Sequence, residues 1–188
     1  MVLAALIPFF LFLLLLFYCT VIGTGANFKS SVVSLPESIF IIGISSKSNP
    51  QSTLIDEKVL LDNYKTIDKK DSNLKIESPE KYISVSLTKS DTEKIIIIGN
   101  IISTPTDTIE GLSYFEIPAL TYVTFNIKEK KWFSWTKAIN QIENHIYLNW
   151  LPENGYEPDK SFLGEVKFYE KENNLKRILL YVAIKKIL

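Results

Sequence analysis

The chain divides sharply by charge: its first 28 residues carry none, and all 21 Lys/Arg and all 21 Asp/Glu lie from Lys29 onward. That break is the first domain boundary. Val2 to Ile22, VLAALIPFFLFLLLLFYCTVI, would span about 31 Å as a helix, which matches the hydrocarbon core of a bilayer. The sequence therefore predicts one transmembrane helix within residues 1–23, a small and polar tether over 24–34, and a polar domain over 35–188. A cleaved signal peptide is the competing reading, with Thr24-Gly25-Ala26 as small residues at a cleavage site. The apolar run exceeds the usual h-region and no Lys or Arg precedes it, so the anchor is favoured. Cys19 reads as a small apolar residue of that helix.

Orientation rests on little, since Lys29 alone flanks the segment closely. An N-terminal segment ahead of a long polar domain ordinarily exports that domain, while Lys29 and the missing N-terminal charge pull the other way, so a single-pass protein is expected with the side left open, leaning extracytoplasmic. Net charge is zero, which offers no broad field for phosphates and argues against a nucleic-acid partner. One Cys and one His build neither an internal disulfide nor a thiolate zinc site, so no metal and no cofactor is expected.

Within the polar domain two passes of the same order are visible. The first has a strand at Ile39–Ser45, a helix from Thr53 with Leu54, Val59, Leu61 and Tyr64 on one side, and strands at Tyr82–Thr88 and Lys94–Ser103. Asp56 and Glu57 suit that helix's first turn. The second has a strand at Phe115–Ile127, a long helix, and strands from Phe162 and Arg177. Trp132, Trp135, Ile139, Ile142, Ile146 and Trp150 step by three or four along that helix and form its apolar stripe. Pro152 and Asn154-Gly155 place its end near Leu151. Aligning Pro36 with Pro118 brings the two leading strands into step. The expected fold is α+β: two βαββ units in pseudo-twofold arrangement, an antiparallel sheet with two helices on one face.

The order Ile117-Pro118, Tyr122, Trp150-Leu151-Pro152, Gly155-Tyr156, Glu165, Ile184-Lys185 resembles the GyrI-like, AraC-type effector-binding domain over about Val33–Leu188. The resemblance implies a ligand cleft between the two halves that takes lipophilic, often cationic, aromatic compounds. A glutamate in the strand after the long helix lies deep in that cleft, and Glu165 matches it. Strand alternation puts Glu165, Lys167 and Tyr169 on one face and Phe162, Val166 and Phe168 on the other, where they suit packing against the helix. Two positions depart from the family's pattern. Lys167 stands where an aromatic residue is usual, close enough to lean on Glu165, which shifts the expected ligand toward neutral or zwitterionic compounds, and Ile96-Ile97-Ile98 stands where a tyrosine commonly precedes the glycine, here Gly99.

The remaining candidates for lining a cleft are Tyr82, Tyr114, Tyr122 and Tyr181, each equally suited to ordinary packing. His145 reads as an edge residue of the helix, and Glu143 and Lys137 as its solvated face. No catalytic residue is assigned. The expected function is a membrane-anchored binding module for a small hydrophobic or aromatic molecule, with the bilayer as second partner through residues 2–22. Two alternatives stand beside it, a GyrI-like hydrolase of cyclopropane-bearing compounds and a protein-interaction module.

Overall fold

The computed structural model describes residues 29–49, 53–67, 76–103, 111–128, 135–172 and 175–187. The expected membrane segment, Trp132 and the side chains of Leu54 and Trp135 lie outside the described residues. Among those described, no helix is long and apolar enough to cross a membrane.

Among the described residues nine strands run in chain order with the helices between them: β1 (Ser30–Ser34), β2 (Ile39–Ser48), α1 (Thr53–Thr66), β3 (Tyr82–Thr88), β4 (Lys94–Ile102), β5 (Ser113–Ile117), β6 (Thr121–Lys128), α2 (Trp135–His145), α3 (Leu151–Asn154), β7 (Tyr156–Pro158), β8 (Gly164–Glu172) and β9 (Leu175–Lys186). A π-type turn, Ile146–Trp150, joins α2 to α3. The sheet order is β1-β6-β9-β8-β3-β4-β2-β5, with β7 on β9 and every pairing antiparallel. Its centre, β6-β9-β8-β3-β4-β2, is palindromic when β6, β8 and β9 are equated with β2, β3 and β4. The two expected βαββ units are thus related by a pseudo-twofold axis between β8 and β3, and both helices pack on one face.

The strand expected over Phe115–Ile127 is two strands. Pro118 has no N–H to give a ladder, and the chain leaves one edge there to join the other. β5 pairs with β2 of the first unit, while β6 begins the second. β1 does the reverse: residues 30–34, expected as tether, pair with β6 from Ser30↔Phe125 to Ser34↔Thr121. Each unit therefore lends its leading strand to the other. This exchange also bends the sheet. Six strand spacings of about 4.8 Å separate β6 from β5 in a flat sheet, about 29 Å, whereas Ile117 to Thr121 reaches at most about 14 Å. The sheet must curl until its ends meet.

Apolar cores form on both faces. Inside the curl, Ile41, Ile83, Val85, Ile97, Ile117, Tyr122, Val166 and Ala183 pack together with Phe162. On the helix face, α1 buries Leu60 and Tyr64 against Ile42, Ile96, Ile98 and Ile102, and α2 with its turn buries Ile139, Ile142, Ile146 and Trp150 against β6 and β9. Val59, expected on the buried side of α1, is exposed, and Leu60 takes the core position. Val166 and Phe168 pack inside the curl and not against a helix. The polar alternates of β8 are the ones that face the helices.

Trp150 donates from Nε1 to Ser30 Oγ at 2.9 Å and stacks on Tyr156, fastening the edge strand to the end of the long helix. Pro152 sits at the start of α3. In a continuous α-helix its ring would collide with the Leu148 carbonyl; the π-type turn, where Leu151 N–H reaches back to Ile146 O, relieves this. Gly155 ends the helix in the left-handed conformation, φ 70°, which glycine adopts without a Cβ penalty.

Gly43 and Gly99 face each other across β2 and β4, and a Cβ on either would drive into the other strand's carbonyl, Ile98 O or Ile42 O. Gly99→Ala must push the strands apart, so a loss of about 1–3 kcal/mol is expected, a midpoint lower by about 2–12 °C in thermal melts. A melt unchanged from wild type would contradict this close approach.

Candidate functional site

Between the two helices lies a strip with no apolar core, the central pair β3 and β8. Register sets Tyr82 opposite Tyr169, Ser84 opposite Lys167, and Ser86 opposite Glu165. The helices add one acid each, Glu57 from α1 and Glu143 from α2, and the π-type turn adds Tyr147. Such turns are rare and recur at functional sites.

Glu57 is the hub of one half. It is 3% exposed, and its Oε1 accepts from Ser84 Oγ at 2.8 Å, Ser86 Oγ at 3.1 Å and Lys167 Nζ at 3.0 Å, while Oε2 accepts from Tyr169 OH at 3.1 Å. Burial pushes the Glu57 carboxyl up, but the Lys167 ammonium and these hydrogen bonds outweigh burial and hold it below the ordinary carboxylate value. Lys167, 1% exposed, loses by burial and regains more from Glu57, Glu165 and Glu143, so its ammonium is held above the ordinary lysine value. Burial, then the Glu57 charge, raises the Tyr169 hydroxyl and keeps it a donor.

Glu165 governs the other half. It is 6% exposed, and its Oε1 accepts from Tyr147 OH at 3.2 Å. The second oxygen, Oε2, is buried and has no hydrogen-bond partner. The Glu143 carboxyl stands at hydrogen-bonding range of Glu165 and 3.7 Å from Lys167 Nζ. Burial, then the Glu165 charge, pushes Glu143 up to about 8, and burial followed by the same charge raises Tyr147. Lys167 reaches past its strand neighbour Glu165 to Glu57. The buried ammonium thus has its closest salt bridge away from Glu165.

The sequence candidates fall on different sides of the sheet. Tyr82 shares the helix face, edge-on to Tyr64 at 6.3 Å between centroids with Lys65 Nζ over its ring. Tyr114 packs on the same face against the α1 core. Tyr122 and Tyr181 lie inside the curl, 6.1 Å apart, where Tyr122 OH donates to Pro118 O at 2.8 Å. The sheet separates them from Glu165. Their strand parity decides this: Tyr181 is opposite Val166, not Glu165. Glu143, expected on the solvated face, turns to the cluster, and His145 packs edge-on to Phe125 at 6.0 Å.

Glu57 went unrecognised as a site residue because acids near a helix start are ordinarily exposed. The available signal was its spacing: 57, 60, 61 and 64 form one stripe. Among the described residues no group of His, Cys, Asp or Glu is arranged to hold a metal ion. An open groove of about 740 Å³ at the far end of β9, with Leu35, Leu120, Tyr156, Asp159 and Lys185 in its walls, shares no residue with the Glu165 cluster.

No family model matches the chain, and no curated protein matches it by sequence. Solved structures do match. The C-terminal domain of EcmrR superposes with a TM-score of 0.59 at 14% identity, over 85% of this chain and 98% of that one. An integron cassette protein from the mobile metagenome of Vibrio cholerae gives 0.55 at 8% identity, over 83% and 95%. SAV2435 bound to tetraphenylphosphonium gives 0.52 at 11% identity, over 82% and 93%. The chain therefore shares the fold of these structures.

Proposed function

We propose that the chain is a small-molecule-binding domain whose ligand enters between the two βαββ halves and is met by Glu165. The observation that carries this reading is the Glu165 carboxyl itself, buried, with one oxygen lacking an ordinary donor, beside an ammonium that is committed to Glu57. Burying an acid in this way is costly unless a cation or donor completes it. Three carboxyls around one lysine favour a cationic ligand, and the exposed Tyr147, bonded to Glu165, offers an aromatic surface for cation–π attraction. The match in fold to a protein bound to tetraphenylphosphonium supports the same chemistry. The apolar run over residues 2–22 tethers the domain to a bilayer in this reading, with the domain on the extracytoplasmic side, which protease accessibility of intact cells would test.

The decisive experiment is a thermal-shift comparison of wild type and Glu165→Gln against lipophilic cations and neutral aromatic compounds. At 100 times its dissociation constant a ligand adds about 2.7 kcal/mol, roughly 5–11 °C for a chain of this size. A cation should give that shift with wild type and not with Glu165→Gln. Equal shifts in both proteins would remove Glu165 from the site.

A further inference from the structure

Glu143 and Glu165 approach each other from different elements, α2 and β8, and meet carboxyl to carboxyl. Two ionised carboxylates repel at this range, so a proton between them stabilises the contact beyond what the Lys167 ammonium supplies. A proton on Glu143 makes it a donor toward Glu165, whose buried Oε2 has no other partner. The groups around Glu143 do not supply a substitute. From β8, Lys167 lies 3.7 Å away but is bound to Glu57 at 3.0 Å, and Tyr169 donates to Glu57. From α1 comes the Glu57 charge, from β4 the more distant Lys94, and from the turn Tyr147, whose hydroxyl serves Glu165 Oε1. With Glu143 ionised, three carboxylates would share one close ammonium. Burial, then the Glu165 charge, sets the release of this proton near pH 8.

We infer that the Glu143–Glu165 pair holds one proton in the empty site and gives it up to solvent when a cationic ligand arrives, so that binding is proton-linked and tightens as pH rises. The inference rests on the ligand reading above. A cation beside the pair does what the proton does, offsetting the second negative charge, and an opposite charge at close range favours the ionised carboxyl. The exchange conserves the charge of the cluster: one proton leaves as one cation enters. Glu143, its side chain 22% exposed against 6% for Glu165, is the member with a path to water.

The test uses tetraphenylphosphonium and the full chain in nanodiscs, with empty nanodiscs as blank, in calorimetric titrations. Running them in two buffers of different protonation enthalpy counts the protons. About one proton should leave per cation bound at pH 7, and affinity should rise by up to about tenfold from pH 6 to pH 7. Glu143→Gln, which keeps the shape and cannot ionise, should bind with no proton release and no such pH dependence. Binding by wild type without proton release would overturn the inference while leaving the ligand reading intact. Absence of binding at both pH 6 and pH 9 would overturn both.

Discussion

Lys167→Met should destabilise the domain by about 3–5 kcal/mol near pH 7, the cost of leaving a buried carboxylate without its cation. The carboxylate is Glu57, whose Oε1 would keep two serine donors and lose an ammonium at 3.0 Å. In wild type, the depressed Glu57 contributes stability above the ordinary carboxylate value that is lost as pH falls through its folded value. The raised Lys167 contributes stability below the ordinary lysine value that is lost as pH rises through its folded one. The pair is therefore fully effective across neutral pH. In the variant, Glu57 lacks the charge that opposed its burial, so it takes up a proton more readily. The deficit against wild type should then shrink in urea melts taken toward pH 4. Glu57→Gln combined with Lys167→Met should recover much of the loss, since removing both charges leaves no unpaired ion. A single variant within about 1 kcal/mol of wild type, or a double variant no better than the single, would show that this ion pair does not hold the two halves.

Glu143→Gln should have the opposite effect, with a sign set by pH. A carboxyl raised from 4.5 to about 8 holds its proton in the folded chain while the unfolded chain has released it, so its contribution to stability falls as pH rises between those values. Glutamine cannot ionise and escapes this loss. The variant should match wild type near pH 5 and exceed it near pH 9 by on the order of a few kcal/mol. Parallel stability–pH curves for the two proteins would exclude the raised carboxyl. This measurement needs no ligand and so stands apart from the binding experiments.

Much of the fold was legible because local pattern and tertiary pairing agree. β3 begins and ends where the Tyr82–Thr88 run does, and the palindromic core of the sheet follows from two passes of one order. The run around Pro118 was misread because both segments beside it are apolar and alternate in phase, which says nothing about which edge each will join. Glu165 was legible through its place in a longer motif. Its partners were not: Glu57 lies 110 residues from Lys167, and each was assigned a local role, helix-start acid and neighbour of Glu165. The face of β8 was misassigned for a related reason. Val166 and Phe168 form the apolar side of their strand, but a sheet with cores on both faces leaves the choice of side to the rest of the molecule.

The exchanged leading strands have a consequence for how the chain is made. β1 leaves the ribosome among the first parts of the domain, yet its partner β6 begins at Thr121, and the outer edge of β2 waits for β5 at Ser113. At about 5–20 residues per second, the roughly 95 residues between Ser30 and Phe125 take about 5–19 s to synthesise. For that interval the first unit presents an open apolar edge and β1 an unmatched ladder, both targets for mispairing between neighbouring nascent chains. β5 covers the open side of β2 and β6 then covers β1, so the seconds before residue 128 emerges are when these two edges most need chaperone cover.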